Sequence, residues 1–531
     1  MSEAADAAPR AAFYGDDFTG SVDALLQFAR ACWSGRLFVG LPDDDALREA
    51  AATVDVVGIA GIARSLPREA LDAEVRPALT ALAALHPPLV QYKACSTADS
   101  SPDVGSIGRV IEIARDVVGE GPVPLLFAQP DFGRYTVFGH HFAAEDGVVH
   151  RLDRQPTMST HPSTPMTESD LARHLSRQTT LPIDGIPFTR YTSSAAVMAA
   201  LVDSPAAATV LDAADAAHLA LVGRAIAALE TPVFAVGSGG LSLAVATARP
   251  GRESPPPAAT PARGPVLAVS GSWSTQTRRQ MDAAADAGWL VETLPLDAAD
   301  RDAAIARTIT ALGAGRSVAF RSDHLRLDDA DPLHALARAG AHIVAAVLDA
   351  GAASRVIVCG GDTSSRITTL LGVRSLSIAA NPVGNIVLLR AHADEPAVDG
   401  VELLLKGGQV GGGAAPPGGG GSGQGSVNPI ADVEPLPPLD PLSTHVSDAD
   451  PPRGSNQFEL DEDLFPEKPI EVTTESDPYV NPQEFRTDRG GGAFDTADQR
   501  LAALNDLRSL PPMLQALQQI GLDPSSPLAQ M

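Results

Sequence analysis

The stretch AAFYGDDFTGSVDALLQFARA, from Ala11 to Ala31, opens with a short apolar run and continues into a helix-forming segment. The run that ends at Asp16 has the character of a strand buried on both faces of a sheet. Asp16 and Asp17 lie where this strand ends, and in a parallel sheet the carboxyl ends of the strands border the ligand crevice. The stretch therefore predicts a strand, a polar turn at a crevice and a helix, which is the repeating unit of an α/β fold.

The same alternation continues along the chain. Apolar strands separated by helices indicate a parallel sheet covered on both faces. We therefore predict the α/β class, with two domains that each have a mainly parallel sheet flanked by helices, followed by a largely disordered acidic tail. The further predicted strands are 54–60, 88–94, 123–129, 208–213, 232–237, 265–270, 289–296, 317–322, 355–360 and 385–391, and the predicted helices include 19–31, 68–85, 102–118 and 167–177.

Composition divides the chain into four segments. Residues 1–249 and 265–411 are the two predicted domains, and the proline-rich stretch 250–264 is the predicted linker between them. Residues 412–531 hold 19 acidic and 6 basic side chains and begin with a glycine-rich run, which is typical of disorder. Residues 499–522 have helical apolar spacing, which favours either a transient helix or a helix that docks on an unknown partner.

Charge and cysteine content exclude several classes of function. The formal net charge of −26 over 531 residues argues against a nucleic-acid partner, although a small anion remains compatible with it. Cys32, Cys95 and Cys359 form no C-x-x-C pair, so we expect neither a zinc site nor a disulfide framework, and a reducing cytoplasm fits best. We find no signal-peptide pattern and no apolar run of about 18 residues, and we expect no membrane partner. A homo-oligomer stays open.

Two polar clusters follow strands of the first predicted domain. Asp16, Asp17 and Thr19 come at the end of the first strand, and the carboxylates suit the hydroxyls of a polyol. The alternative is that one aspartate only caps the helix that follows. The second cluster joins a lysine to hydroxyl and carboxylate groups, and its alternative is an ordinary loop with a helix cap. It consists of Lys93, Ser96, Thr97, Asp99 and Ser100.

Arg64 occupies the corresponding place after a third strand. It could bind a substrate carboxylate, although in an arginine-rich chain it could equally be a surface residue. Lysine is rare here, because the sequence contains only Lys93, Lys406 and Lys468. Lys93 belongs to the second polar cluster, and Lys406 begins the glycine-rich stretch K-G-G-Q-V-G.

The second predicted domain has three glycine-rich turns, S-G-S-W-S-T-Q-T from Ser270, G-G-D-T-S-S-R from Gly360 and K-G-G-Q-V-G from Lys406. Glycines allow phosphate oxygens to approach the backbone, and amides at a helix start bind anions. No G-x-x-x-x-G-K-[ST] loop occurs, and no G-x-G-x-x-G follows the first strand of this domain. Three such turns in one domain nevertheless favour a nucleotide site.

Together these motifs resemble the four-carbon acid sugar kinase family over about residues 11–411. The resemblance rests on G-D-D-F-T-G-S-x-D (Gly15 to Asp23), K-A-C-S-T-A-D-S (Lys93 to Ser100), T-P-M-T-E-S-D-L (Thr164 to Leu171), the S-G-S-W-S turn, G-G-D-T-S (Gly360 to Ser364), N-P-V-G (Asn381 to Gly384) and L-K-G-G-Q-V-G (Leu405 to Gly411). It implies an acid-sugar-binding N-terminal domain, a nucleotide-binding C-terminal domain, and ATP-dependent phosphorylation of a hydroxyl of threonate, erythronate or a 3-oxo-tetronate. The motif Y-K-x-C-S-T-x-D-S-S-P departs from the commoner family motif K-x-D-S-T-L-R-G. It is more similar to the motif of family members that act on 3-oxo-isoapionate or a related branched acid.

The resemblance also implies roles for residues. Asp16, Asp17, Thr19, Arg64 and the loop from Lys93 to Ser100 would hold the sugar acid. The residues implied in ATP binding are Ser270, Gly271, Ser272, Ser274, Gly360, Gly361, Asp362, Thr363, Ser364, Gly384, Lys406, Gly407 and Gly408. We hypothesise that Asp17 or Asp16 accepts the proton of the attacking hydroxyl. Mg²⁺ would bridge the phosphates with Asp362 as a ligand or water holder, unless Asp362 only caps its helix.

Two other classes of function compete with this interpretation. An NAD(P)-dependent oxidoreductase would explain two α/β domains but lacks the dinucleotide fingerprint. A catalytically silent scaffold would explain the appended tail, which would then recruit a partner.

Overall fold

The computed structural model describes residues 8–145, 147–251, 255–258, 264–325, 332–384 and 386–407. Gly408, the tail from residue 412 with its predicted helix at 499–522, and most of the linker therefore lie outside the described residues.

Strands and helices alternate along the described chain. The strands are β1 (Ala11–Gly15), β2 (Gly35–Val39), β3 (Val56–Ala60), β4 (Leu89–Lys93), β5 (Val123–Leu126), β6 (Arg134–Val137), β7 (His140–Glu145), β8 (Val148–Arg151), β9 (Ile183–Ile186), β10 (Ala208–Leu211), β11 (Val233–Gly237), β12 (Leu267–Ser270), β13 (Leu290–Thr293), β14 (Val318–Arg321), β15 (Arg355–Cys359), β16 (Val373–Val383), β17 (Ile386–Ala393) and β18 (Glu402–Lys406). The helices are α1 (Phe18–Arg30), α2 (Asp44–Ala51), α3 (Leu71–Ala83), α4 (Ile107–Val117), α5 (Pro156–Ser159), α6 (Leu171–Ser176), α7 (Ser194–Val202), α8 (Ala216–Ala227), α9 (Gly239–Ala248), α10 (Thr275–Asp286), α11 (Ala298–Gly313), α12 (Pro332–Asp349) and α13 (Gly361–Leu370). Among the described residues, no helix is long and apolar enough to span a membrane.

The predicted α/β class is confirmed, and the two sheets join into one. In the described chain, fifteen strands form a single sheet in the order β13-β14-β12-β15-β18-β17-β16-β2-β3-β1-β4-β11-β5-β10-β9. In this order, the successive strands β2, β3, β1, β4, β11, β5, β10 and β9 pair in parallel. The successive strands β13, β14, β12, β15 and β18 also pair in parallel. The junction is antiparallel, with Ser375 opposite Phe38 and Leu376 opposite Leu37. A separate sheet contains β6, β7 and β8.

The predicted strands all appear, but the sequence reasoning did not predict β2, β6, β7, β8, β9, β16 or β18. β16 and β18 are antiparallel to β17. β16 includes Pro382, and proline is a poor sequence signal for a strand inside a sheet. The helix predicted at 102–118 begins later, at Ile107, because the Ser106 hydroxyl caps it.

The antiparallel junction has a geometric consequence. Along the ladder, β15 and its parallel neighbours run opposite to β1, so on a flat sheet the two sets of carboxyl ends would lie at opposite edges. Six steps separate β1 from β15, and a twist of roughly 20–25° per step accumulates to about 120–150°. We expect a rotation of this size to turn the carboxyl end of β15 back towards that of β1.

Helix α1 connects the two halves. Its apolar side chains Leu25, Leu26 and Phe28 are fully buried, and each contributes about 1.5–3 kcal/mol by leaving water. It packs against α9 and also contacts β16 and α13 of the second half. Helix α1 therefore lies at the boundary between the two halves of the chain.

Candidate active site

Three neighbouring parallel strands bring their carboxyl ends together. Asp16 and Asp17 follow β1, Arg64 follows β3, and Lys93 ends β4. The backbone fixes their relative positions, because the Asp16 amide donates to the Lys93 carbonyl and the Arg64 amide donates to the Asp16 carbonyl, both at 3.0 Å.

Asp17 both caps α1 and faces the cavity. Its Oδ1 accepts from the Gly20 amide at 3.0 Å, so Asp17 is the aspartate that caps α1. Oδ1 also accepts from Arg64 at 2.6 Å. Within the described part of the chain, no hydrogen bond reaches Asp17 Oδ2. One oxygen is therefore held while the other remains available.

Arg64 joins the two aspartates. Its Nη2 lies 2.6 Å from Asp16 Oδ1, and its Nε lies 3.2 Å from Asp16 Oδ2. The Asp16 side chain is only 2% exposed. Burial raises the pKa of Asp16 to about 6, against the opposing effect of Arg64, and Asp17 raises it further. The guanidinium thus neutralises a carboxylate that would be costly to bury alone.

Lys93 has a partner that sequence reasoning missed. Its Nζ lies 3.8 Å from Asp23 Oδ2 and donates to the Ala94 carbonyl at 3.1 Å. A Cβ on Gly20 would lie 3.0 Å from the same Nζ, so glycine leaves room for the ammonium. Asp23 is one helical turn after Thr19, and this spacing was a usable signal.

The residues predicted in the loop after β4 do not all lie at the cavity. Asp99 lines the cavity. The direction of the chain into Asp99 depends on Ala98, whose φ of 50° is unusual for a residue with a side chain. Ser96 and Thr97 are buried, and the Thr97 hydroxyl lies 3.0 Å from Cys95 Sγ.

Ser100 lies apart from the cavity wall. Its hydroxyl donates to the Ala98 carbonyl at 2.8 Å and lies 3.1 Å from His174 Nε2. These bonds hold the loop against α6, so the position of Ser100 indicates a supporting role.

The cavity wall next to Asp99 contains a segment that the sequence reasoning did not assign to the site. His161, Ser163 and Thr164 line the cavity beside Asp99. The Thr164 hydroxyl donates to Asp99 Oδ1. Thr164 belongs to the T-P-M-T-E-S-D-L motif, which carried the family resemblance without a role for any of its residues.

The loops of the second half meet around backbone groups. The Gly271 amide donates to the Cys359 carbonyl at 3.0 Å, and the Gly360 amide donates to the Lys406 carbonyl at 2.8 Å. Gly360 has a φ of 111°, which side chains rarely adopt, and precedes α13. A Cβ on Gly271 would lie 2.1 Å from Thr363 Oγ1. The two glycine turns therefore pack directly on each other.

Lys406 is buried next to hydroxyl groups. Its Nζ donates to Thr277 Oγ1 at 3.1 Å, and burial lowers its pKa. Ser274 caps α10 by accepting from the Thr277 amide at 3.1 Å. Ser272 bonds to Ser274 at 3.2 Å, and Ser270 accepts from the Ser272 amide at 3.2 Å.

Three residues predicted for ATP binding are placed less directly. Ser364 is buried and donates to the Val358 carbonyl at 3.2 Å. Gly384 forms the turn between β16 and β17, and its carbonyl accepts from Arg30 at the far end of α1. Gly407 directly follows β18.

The two halves meet in one cavity of about 490 Å³. A Cβ on Gly361 would lie 3.7 Å from Thr19 Oγ1, so the N-termini of α1 and α13 approach each other there. Asp362 is exposed in the first turn of α13 and is not its cap, because Gly360 is. The lining residues are Asp16, Asp17, Phe18, Thr19, Gly61, Ile62, Arg64, Ser65, Asp99, Val104, His161, Ser163, Thr164, Gly361, Asp362 and Ser365.

Two family models match successive parts of the chain. Residues 11–245 match the model of a sugar-binding N-terminal domain, and residues 267–415 match that of a nucleotide-binding C-terminal domain. A protein of Salmonella typhimurium LT2, 24% identical, superposes with a TM-score of 0.64 over 76% of this chain and 96% of its own, and so shares the fold.

Curated relatives cover the same region. The 3-oxo-isoapionate kinase of Paraburkholderia graminis is 38% identical over 75% of this chain and 92% of its own. The 3-oxo-tetronate kinase of Methylobacterium radiotolerans is 31% identical over 75% of this chain and 95% of its own. On this evidence the chain belongs to the four-carbon acid sugar kinase family.

Proposed function

We propose that this protein is an ATP-dependent kinase that phosphorylates a hydroxyl of a small sugar acid. The observation that carries the proposal is the single cavity in which the N-termini of α1 and α13 meet. One belongs to the segment matched as sugar-binding and the other to the segment matched as nucleotide-binding. Phosphoryl transfer needs this juxtaposition, because its catalysis is mostly positioning and charge stabilisation.

The sugar acid would bind against the ends of β1, β3 and β4. Arg64 donates to both Asp16 and Asp17. Its guanidinium can therefore stay bonded to one of these carboxylates and also donate to the carboxylate of the substrate. Lys93, almost fully buried beside Asp23, would place a second cation below the substrate. Asp99 would accept from a substrate hydroxyl.

ATP would bind through backbone amides and a lysine. The first amides of α13 have no acceptor within the described residues, so the start of this helix can offer them, with the positive end of the helix dipole, to the phosphates. Lys406 would direct its ammonium at one phosphate oxygen, with Ser272 and Gly271 close to the same loop.

The residues present suit Mg²⁺ as it is usually held in kinases. The described residues contain no group of three or more His, Cys, Asp or Glu side chains that could hold a metal alone. Mg²⁺ in phosphoryl-transfer sites is commonly held by one or two carboxylates together with phosphates and water, and Asp362 is an exposed carboxylate on the cavity wall. When bound, the ion would neutralise charge that develops on the phosphates.

Asp17 is the better candidate for the base. Both oxygens of Asp16 are engaged by Arg64, whereas Asp17 keeps Oδ2 available in the cavity. Asp17 would hold the attacking hydroxyl and accept its proton, while Asp16 positions Arg64. The name of the 38% identical relative makes 3-oxo-isoapionate the first acid to test. Three free thiols support a reducing cytoplasmic location.

The test is ATP consumption by the full chain with a panel of four- and five-carbon sugar acids and 3-oxo acids, each with Mg²⁺. We expect ADP release that depends on one or a few of these acids. Silence across the panel would remove the kinase assignment. A thermal shift with NAD(P) and none with ATP would favour the oxidoreductase instead.

A further inference from the structure

Trp273 is an exposed aromatic side chain in the turn after β12. The sequence contains three tryptophans, and Trp33 and Trp289 are each only 3% exposed, whereas Trp273 is 53% exposed. Within the described residues, the Trp273 ring has no hydrogen bond, no ring partner and no cation over its face. Exposure alone does not make a site, so the surroundings of Trp273 decide what its ring can do.

The turn that carries Trp273 packs against the start of α13. A Cβ on Gly360 would lie 3.4 Å from the Ser272 amide nitrogen, and a Cβ on Gly271 would lie 2.1 Å from Thr363 Oγ1. Gly360 directly precedes α13, whose first amides are the groups that would receive the phosphates. Trp273 is therefore one residue away from backbone that borders the proposed phosphate site.

Hydrogen bonds fix the chain on both sides of Trp273. The Ser272 amide donates to Ser270 Oγ at 3.2 Å, and the Ser274 amide donates to Ser272 Oγ at 3.3 Å. Ser274 in turn caps α10 by accepting from the Thr277 amide at 3.1 Å. The point at which the indole leaves the turn is thus set before a ligand binds, which lowers the ordering cost of binding.

The cavity indicates which end of ATP would come close to Trp273. Gly361, Asp362 and Ser365 line the cavity in which the acid would bind, and Trp273 does not. The terminal phosphate must face the acid for transfer to occur, so the base must lie outside this cavity. A base is joined to its first phosphate through a ribose alone, and it therefore stays near a turn that borders the phosphates.

We propose that Trp273 stacks on the base of ATP and contributes much of the affinity for the nucleoside part. An aromatic ring offers its face to any base, whereas the serine hydroxyls and glycine amides of the same turn suit charged phosphates. This inference rests on the proposed function and adds to it the group that holds the base.

The experiment measures how ATP and inorganic tripolyphosphate, each with Mg²⁺, bind to the full chain in titration calorimetry. Tripolyphosphate has the three phosphates of ATP and no base. We expect Trp273→Ala to weaken ATP binding by roughly 10- to 100-fold and tripolyphosphate binding by less than about twofold, because only the stacking is lost. Trp273→Phe, which keeps a ring, should retain most of the affinity. Leu370→Ala, which removes another exposed apolar side chain at the far end of α13, is the matched control and should change neither value.

Tryptophan emission gives a second measure of the same contact. Because Trp33 and Trp289 are buried, ATP should quench mainly the emission of Trp273, and tripolyphosphate should not. In Trp273→Phe this quenching should disappear although ATP still binds.

The outcomes separate the two proposals. Unchanged ATP affinity in Trp273→Ala, or equal losses for ATP and tripolyphosphate, would overturn the role of Trp273 and leave the kinase assignment standing. Unchanged ATP affinity together with a lower mass in light scattering would assign the ring to a contact between copies of the chain instead. A wild-type protein that binds neither ligand and consumes no ATP with any acid in the panel would overturn the proposed function itself. Thermal unfolding of each variant checks that the fold is intact.

Discussion

The two sides of the cavity use different chemistry. On the sugar-binding side, charged side chains neutralise each other, as Arg64 does with Asp16 and Asp17. On the nucleotide-binding side, glycine turns and hydroxyl groups line the strand ends, and few charges are present.

The two buried lysines make the contrast sharpest. Lys93 has a carboxylate, Asp23, at 3.8 Å. Lys406 bonds to a hydroxyl, and no carboxylate pairs with it among the described residues. An ammonium held without a counter-charge is costly alone and favourable once an anion arrives. On the sugar side each cation therefore has a carboxylate partner before binding. On the nucleotide side the ammonium gains a counter-charge only when a phosphate arrives.

The largest expected effect is on the sugar side. Asp17→Asn should lower kcat by about 10²- to 10⁴-fold, because it removes the proton acceptor. ATP affinity, measured by titration calorimetry, should hardly change. Asparagine can still cap α1. Asp43→Asn, which alters the cap of α2 in the same way, is the control and should keep full activity. Normal turnover by Asp17→Asn would exclude Asp17 as the base.

Replacing each of the two lysines by methionine tests this difference between the two sides directly. Lys406→Met should weaken ATP binding by about 10- to 100-fold and leave the KM for the acid unchanged, because only the phosphate contact is lost. Lys93→Met should raise the KM for the acid and leave ATP binding unchanged.

Thermal unfolding of the ligand-free variants adds a second measure. Lys406→Met should keep or raise Tm, since it removes a buried ammonium whose pKa burial lowers. Lys93→Met should lower Tm, since it leaves the Asp23 carboxylate without its cationic partner. Identical behaviour of the two variants would remove the distinction between the two sides.

A glycine substitution tests the backbone side. Gly271→Ala would place a Cβ 2.1 Å from Thr363 Oγ1, so one of the two turns must move. We expect ATP binding to weaken by roughly 1–3 kcal/mol, with little effect on the acid. Gly313→Ala, with open space around its Cβ position, is the control. Wild-type ATP affinity in Gly271→Ala would show that this packing does not shape the site.

The smallest effect concerns pH. Since burial raises the pKa of Asp16 to about 6, its ionised form destabilises the ligand-free fold above that pH, and this cost disappears as the group takes up a proton. The unfolding free energy of wild type should therefore rise relative to Asp16→Asn by about 1–2 kcal/mol between roughly pH 7 and pH 4. A difference that is constant with pH, measured by urea unfolding, would contradict the raised pKa.

The sequence predicted the features of the fold that depend on neighbouring residues in the chain. The strands that end at Asp16, Lys93 and Cys359 were predictable, because apolar runs and the polar turns after them report parallel strands. The antiparallel pairing of β2 with β16 was not, because it joins residues more than 300 positions apart and depends on neither run alone.

The same limit applies to the site. Residue type indicated Asp16, Asp17, Arg64 and Lys93, because charges at strand ends suggest ligands. It could not indicate that Ser100 faces away from the cavity or that His161 enters it, since both depend on how the segment before α6 packs against the loop after β4.

The most direct measurement of the central claim follows the phosphorus itself. Phosphorus NMR of the full chain with ATP, Mg²⁺ and a 3-oxo sugar acid should show a phosphorylated acid appearing in step with ADP for wild type, and none for Asp17→Asn. Release of free phosphate without a phosphorylated acid, or equal product from both proteins, would contradict the account of this cavity as the place where the two halves carry out phosphoryl transfer.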